Sequence, residues 1–206
     1  MLKLYYVPDT CSLATHIALI DAGAEYELVR MSFEKEDQKQ SDYLKINPKA
    51  RVPALLTDDG VLTETPALLA YIAQTFPDAG LAPRGAFGFA KAQEFNSYLC
   101  STAHVAHAHR MRGYRWADEP EAHAAMQRKV PASVTQCYEL VERDMFKGPW
   151  VMGDQYTICD PYLFTLAQWL EADGVDMNRI PKVRDHRARM RDRPSTGRAL
   201  SEELSV

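Results

Sequence analysis

At the start of the chain, hydrophobic residues recur with a period of two. Leu2, Leu4 and Tyr6 alternate with Lys3, Tyr5 and Val7 up to Pro8, which predicts a short strand. From about Ser12 to Ala22 the period lengthens, placing Leu13, Ile17 and Ile20 on one helical face with Gly23 as the stop. Glu25 to Met31 reads as a second strand, Phe33 to Gln40 as a polar loop, and Asp42 to Ile46 as a short helical piece before Asn47-Pro48. Val52–Leu56 and Val61–Thr63, joined by Asp58-Asp59-Gly60, form a hairpin pattern, because the Asp-Gly step supplies the positive φ a tight turn needs. A helix from Thr65 to Gln74, apolar at Leu68, Leu69 and Ile72, completes a small α/β unit over residues 1–78.

The pattern then breaks. Phe76 to Gly80 and Pro83 to Gly85 are rich in turn formers, so a linker is expected over 79–86. From 87 to 206 only helical periodicities follow, with Pro120, Pro149, Pro161, Pro181 and Pro194 marking starts and stops, so this second domain is expected to be all-helical. Thr157-Ile158-Cys159-Asp160 matches a capping box ahead of the apolar run Tyr162, Leu163, Leu166, Trp169 and Leu170. Asp160 is also placed to satisfy donors of the preceding loop. This is a folding signal, and Cys159 within it reads as packed.

Composition narrows the class without naming it. A net charge of −4 and a quarter of residues charged are ordinary for a globular protein. No run of about 18 apolar residues could span a bilayer, and Asp9, Thr10 and Ser12 interrupt the only early apolar run, so neither membrane nor secretion is expected and a cytoplasmic site is. The acidic balance and the short basic run argue against nucleic acid as a partner. Cys11, Cys100, Cys137 and Cys159 form no C-x-x-C pair, so free thiols are expected, most of them packed.

Cys11 is set apart by position. At a helix start it faces unpaired N–H groups and the positive end of the dipole, which favour thiolate; Thr10 and Ser12 beside it serve equally a thiolate site or a capped helix that holds a cysteine. His16 falls roughly 140° around the helix and reads as a structural histidine. In Asn47-Pro48-Lys49-Ala50-Arg51-Val52-Pro53, Pro53 is either a turn proline or a cis residue that leaves the Val52 backbone open to an extended peptide. Thr65, with Pro66 after it, reads as an N-cap whose N–H groups suit a carboxylate, while Glu64 suits an ammonium; simple capping explains the pair as well. Ser97, Cys100, Ser101, His104 and His107 form a polar stripe running on to His109, Arg110, Arg112, Tyr114, Arg115 and Trp116. No acidic or thiolate ligand accompanies these histidines, so a metal is not expected and a cleft for an anionic or aromatic small molecule is.

Taken in order, KLYYVPDTCSLATHIAL, NPKARVPAL, the LTET step and GDQYTICDPYLFTLAQW resemble cytosolic glutathione transferases, specifically the bacterial beta class, over essentially the whole chain. The resemblance implies a thioredoxin-like glutathione-binding domain and a helical domain that forms most of the pocket for a small hydrophobic or aromatic electrophile. It also implies a homodimer, with glutathione as co-substrate and no metal. It places Val52 and the cis-proline Pro53 on the cysteinyl unit, Glu64 and Thr65 on the γ-glutamyl unit, and Lys35 near the glycyl carboxylate. Cys11 and His104 correspond to the active-site cysteine and helical histidine, and Ser101 to a residue contributed across the dimer. Arg51 replaces a commonly neutral residue and could add a carboxylate contact, and Ser97 replaces an amide. Two further readings stay open: a thiol-disulfide oxidoreductase or peroxide reductase using Cys11 covalently, and a binder that has lost turnover.

Overall fold

The structure, a computed structural model, describes residues 1–205. Strand β1 (Leu2–Tyr6) pairs in parallel with β2 (Tyr26–Arg30), a pairing that requires the crossover supplied by helix α1 (Ser12–Asp21). After the short α2 (Ser41–Ile46), β3 (Ala54–Thr57) runs antiparallel to β1 and turns into β4 (Gly60–Thr63), giving the order β2-β1-β3-β4. Gly60 at φ 135° makes the turn, where the Thr57 hydroxyl donates to the Gly60 carbonyl at 2.9 Å. Helix α3 (Thr65–Thr75) packs on α1. Each element expected in this half is present, with ends shifted by no more than about two residues, as fraying termini allow.

The second half is helical: α4 (Gly85–Tyr98), α5 (His104–Ala108), α6 (Pro120–Leu140), α7 (Cys159–Ala167), α8 (Pro181–Arg191) and α9 (Pro194–Ser205). An isolated bridge between Trp150 and Gly153 is its one β contact among the described residues. A π-helical turn over Leu99–Ala103 separates α4 from α5, and this interruption of the expected single helix lies in the segment carrying the polar stripe. No described helix is long and apolar enough to cross a membrane.

One apolar core joins the halves, running from Leu4 and Leu55 in the sheet through Leu68 and Leu99 to Tyr138, Leu163 and Val183. Helix α1 sits at the seam. Its Leu13 and Ile17 pack with Phe164 of α7, Met190 of α8 and Ala199 of α9. His16 is wholly buried and tied to the C-terminal helix: Nδ1 lies 3.3 Å from Glu203 and Nε2 lies 3.0 Å from Glu202.

The capping box forms as expected and does more. The Asp160 carboxylate accepts from the Thr157 N–H at 2.8 Å and hydroxyl at 3.4 Å, the Val151 N–H at 2.9 Å, and His186 Nε2–H at 3.0 Å. Asp160 and His186 are both fully buried, so the start of α7 is fastened to the preceding loop and to α8 by one carboxylate. Cys159 beside it is packed, its S–H donating to the Ala92 carbonyl at 3.5 Å.

Candidate functional site

A cleft of about 1100 Å³ opens between the edge of the sheet and the helical half. The chain enters it from β1 through Val7, Pro8 and Asp9, and the geometry there explains how a thiol comes to face it. The Thr10 and Ser12 hydroxyls both donate to the Val7 carbonyl, at 2.8 and 3.0 Å, and Asp9 takes a left-handed φ of 58°. The Ser12 N–H donates to the Thr10 hydroxyl at 3.3 Å, and Cys11 stands as the residue before the first turn of α1. Both polar neighbours therefore serve the backbone rather than the sulfur.

Cys11 Sγ–H donates to the Val52 carbonyl at 3.6 Å across the cleft. The Val52–Pro53 bond is cis, as one of the two sequence readings required. Val52 lies outside β3, and among the described residues no acceptor is present for its N–H. The loop is held from behind by Tyr43 Oη–H and Asn47 Nδ2–H, both donating to the Arg51 carbonyl at 2.7 Å.

The expected thiolate character of Cys11 is not what the site produces. Burial pushes the thiol upward, and although the Thr65 hydroxyl and the Arg112 guanidinium pull it back, desolvation wins. A dipole of half a charge at the end of one helix is a smaller effect than removing the anion from water. Cys11 is a protonated hydrogen-bond donor facing the cleft.

Opposite Val52, α3 begins at Thr65 as expected, but Thr65 is not its N-cap. Glu64, at φ 74°, occupies the capping position, Thr65 is the first helical residue, and no side chain caps the N–H groups there. Glu64 pairs with Lys49, whose ammonium also donates to the Thr63 hydroxyl at 2.5 Å. Among the described residues Asp9, Glu36, Ala50 and Glu64 are the non-glycine residues with positive φ, and all four line the cleft. Backbone held in a costly conformation by its surroundings concentrates at ligand sites.

From the helical half come Cys100, His104 and His107, then Arg110, Arg112, Tyr114, Arg115 and Trp116. His107 Nδ1–H donates to buried Asp173 at 2.7 Å and its ring stacks on Trp169 with centroids 4.4 Å apart. His104 packs against the same indole at 5.5 Å. Burial, then repulsion from His107 and the arginines, lowers its pKa to about 4, so it is a neutral imidazole near pH 7.

The cleft thus brings together Cys11, Arg51, Val52, Pro53, Glu64, Thr65 and His104. It does not include Lys35, Ser97 or Ser101, each of which is exposed; Lys39 and Lys49 are the lysines that line it. The stripe splits because Ser97 and Ser101 lie one turn apart on one edge of a wide face, whereas Cys100 and His104 lie on the other edge. The sequence pattern marks Tyr162 only as an apolar position. Its ring is buried, yet its hydroxyl reaches Cys100 at the floor of the cleft. A tyrosine in an apolar helical run is the one signal that could have found it, since a buried phenol needs a polar partner. Among the described residues no group of three His, Cys, Asp or Glu is arranged to hold a metal ion.

The family pattern described as "Glutathione S-transferase, N-terminal domain" matches residues 1–74. Over 205 residues the chain is 33% identical to Glutathione S-transferase GstA of Escherichia coli O157:H7, covering 98% of each. A glutathione transferase homolog from Sulfitobacter, solved with bound glutathione, superposes with a TM-score of 0.95 at 42% identity, covering 100% of this chain and 99% of that one. The bacterial beta class enzyme of Sphingomonas chungbukensis superposes at 0.84 with 33% identity, over 99% and 100% of the two chains.

Proposed function

The chain belongs to the glutathione S-transferase family, and from that premise we propose how its cleft holds glutathione and activates the sulfur. The protein is a glutathione transferase. Its cysteinyl unit lies along Val52, pairing with the open N–H and carbonyl in the manner of an added strand. The γ-glutamyl carboxylate takes the N–H groups and hydroxyl at Thr65, and its ammonium takes Glu64. Lys49 or Arg51, rather than Lys35, is the cation that reaches the glycyl carboxylate. The second substrate is a small, largely planar electrophile, and the working unit is a homodimer in which Ser101, exposed in one protomer, completes the partner's site.

One observation supports this arrangement above the rest: Cys11 Sγ already donates to the Val52 carbonyl at 3.6 Å. When the cysteinyl N–H of glutathione takes that carbonyl, the Cys11 S–H is freed to donate to the glutathione sulfur beside it. Because burial keeps Cys11 protonated, it is suited to donate rather than to attack. The glutathione thiol loses its proton to solvent, and the resulting thiolate is held by Cys11, with Thr65 and Arg112 nearby. Developing charge in a preorganised, partly dry site is stabilised more than in water, while fixing both reactants in one cleft supplies proximity.

The experiment is intact mass of the purified protein with and without reductant, beside conjugation rates for wild type and Cys11→Ala. The hydrogen-bonding role predicts no reducible adduct and a conjugation rate reduced on the order of tenfold in the variant. An adduct of one glutathione that Cys11→Ala abolishes, with disulfide reduction lost in the variant, would assign Cys11 a covalent role and make the protein a thiol-disulfide oxidoreductase.

A further inference from the structure

The cleft is charged against the sign of the chain. Lys39, Lys49, Arg51, Arg110, Arg112 and Arg115 line it against Asp9, Glu36 and Glu64, although the whole protein carries a net −4. Outside the cleft six arginines pair with acid, Arg143 with Asp144, Arg179 with Glu139, Arg184 with Asp185, Arg187 with Glu171, Arg193 with Asp21 and Arg198 with Glu202, while Arg84, Arg128 and Arg191, which lack one among the described residues, are exposed to water. In the cleft, Glu36 is taken by Lys39, Glu64 by Lys49, and Arg110 by Asp173 at 3.6 Å. Among the described residues no carboxylate lies within ion-pair distance of Arg112, Arg115 or Arg51, and none of their guanidinium groups has a hydrogen-bond partner. Of the three only Arg112 is partly buried; it is desolvated and repelled by the exposed Arg115 and Arg51.

A partly buried guanidinium with like-charged neighbours and no acid is costly unless a ligand supplies the anion. The glutathione carboxylates are placed at the sheet side of the cleft, by Thr65 and Lys49. Arg112 and Arg115 come from the opposite wall, on the sulfur side, where the guanidinium of Arg112 is felt by Cys11. That wall also carries flat surfaces. Trp116 and Tyr114 are 46% and 63% exposed, and Trp169 lies under the stacked His107 ring.

Resting on the transferase reading above, we infer that the electrophile is itself an anion: a planar aromatic or conjugated carboxylate, its charge paired with Arg112 and Arg115 and its face laid on the Trp116 and Trp169 wall. Arginine suits a carboxylate through two parallel N–H donors. The pairing has a chemical effect as well as a binding one. A free carboxylate withdraws little from a conjugated ring and its charge repels an incoming thiolate; pairing that charge with two guanidinium groups lessens the repulsion and makes the ring more electron-poor. For an activated aryl chloride, the glutathione thiolate forms the S–C bond, chloride leaves with its bonding pair, and the thiol proton goes to solvent; nothing is oxidised or reduced.

The test compares 4-chloro-3-nitrobenzoate with its methyl ester, each rate divided by its uncatalysed rate with glutathione. Wild type should favour the acid by at least about tenfold in normalised kcat/KM, roughly the worth of one good charge-assisted pair. Arg112→Gln should remove most of that preference and Arg112→Lys should retain part of it, whereas Arg128→Gln, on an exposed face of α6 outside the cleft, should keep it whole. An acid-to-ester ratio near one in wild type overturns the inference. So does a raised KM for glutathione in Arg112→Gln with the ratio unchanged, which would give the arginines to the glutathione carboxylates. If neither compound turns over, calorimetric binding of the two finished conjugates decides. Tighter binding of the acid conjugate, lost in Arg112→Gln, supports an anion site while the transferase reading fails; equal binding overturns the anion site on its own.

Discussion

Asp160 and Tyr162, two residues apart on α7, face polar regions built on opposite terms. Around Asp160 each carboxylate oxygen has two donors, and both Asp160 and its partner His186 are cut off from water. Around Tyr162 the cleft holds thiols kept protonated by burial, a neutral histidine, strained backbone and arginines without acids. The Asp160 carboxylate is satisfied without a ligand, so its hydrogen bonds go into stability. The second region is completed only by what binds. Unsatisfied polarity, more than polarity itself, separates the working part of this molecule from the part that holds it together.

The largest effect should come from breaking the completed side. Asp160→Ala leaves His186 and the Val151 and Thr157 N–H groups buried without an acceptor, and should lower unfolding stability by about 3–5 kcal/mol in urea titrations. A loss below about 1 kcal/mol would mean water or a rearranged loop satisfies these donors, and the contrast with the cleft would fail.

A smaller effect tests the cleft through pH. The pKa of His104 falls from 6.5 to about 4 on folding, so between these values the unfolded chain binds the extra proton. Stability contributed by keeping it neutral is present above pH 6.5 and lost as pH falls toward about 4. His104→Gln should therefore lose less stability than wild type between pH 7 and 4.5, by on the order of 2 kcal/mol. Parallel pH profiles for the two proteins would show that His104 is solvated in the folded state.

The smallest effect should fall on binding. Thr65→Val keeps the shape of the α3 start but removes its hydroxyl, which should weaken glutathione about tenfold by calorimetry while changing unfolding stability by less than about 1 kcal/mol. Equal losses in both would place Thr65 on the structural side of the comparison.

The sheet, its hairpin and the capping box were legible in the sequence because each depends on local chemistry: alternation, an Asp-Gly turn, a Thr-x-x-Asp spacing. So was the meeting of Cys11, Val52 and Thr65, though only as separate motifs whose distance no spacing reveals. The protonation of Cys11 was not legible, since the helix start is visible locally while the burial that outweighs it comes from a core assembled from both halves of the chain. The same is true of Lys35. A lysine in a loop can be counted, but the turn over Asp37–Lys39 that brings Lys39 and leaves Lys35 outside is set by backbone geometry around Glu36. The extra residue in the π-helical turn at Leu99–Ala103 likewise lies beyond a reading that assumes one helical period.

Helix α1 bears on anyone who would modify this protein. Cys11 heads it, and His16, only about 7.5 Å farther along the axis at 1.5 Å per residue, is clasped by Glu202 and Glu203. Helix α9 is therefore no free handle for a cut or a surface tether. A pull there arrives, through one short rigid rod, at the thiol.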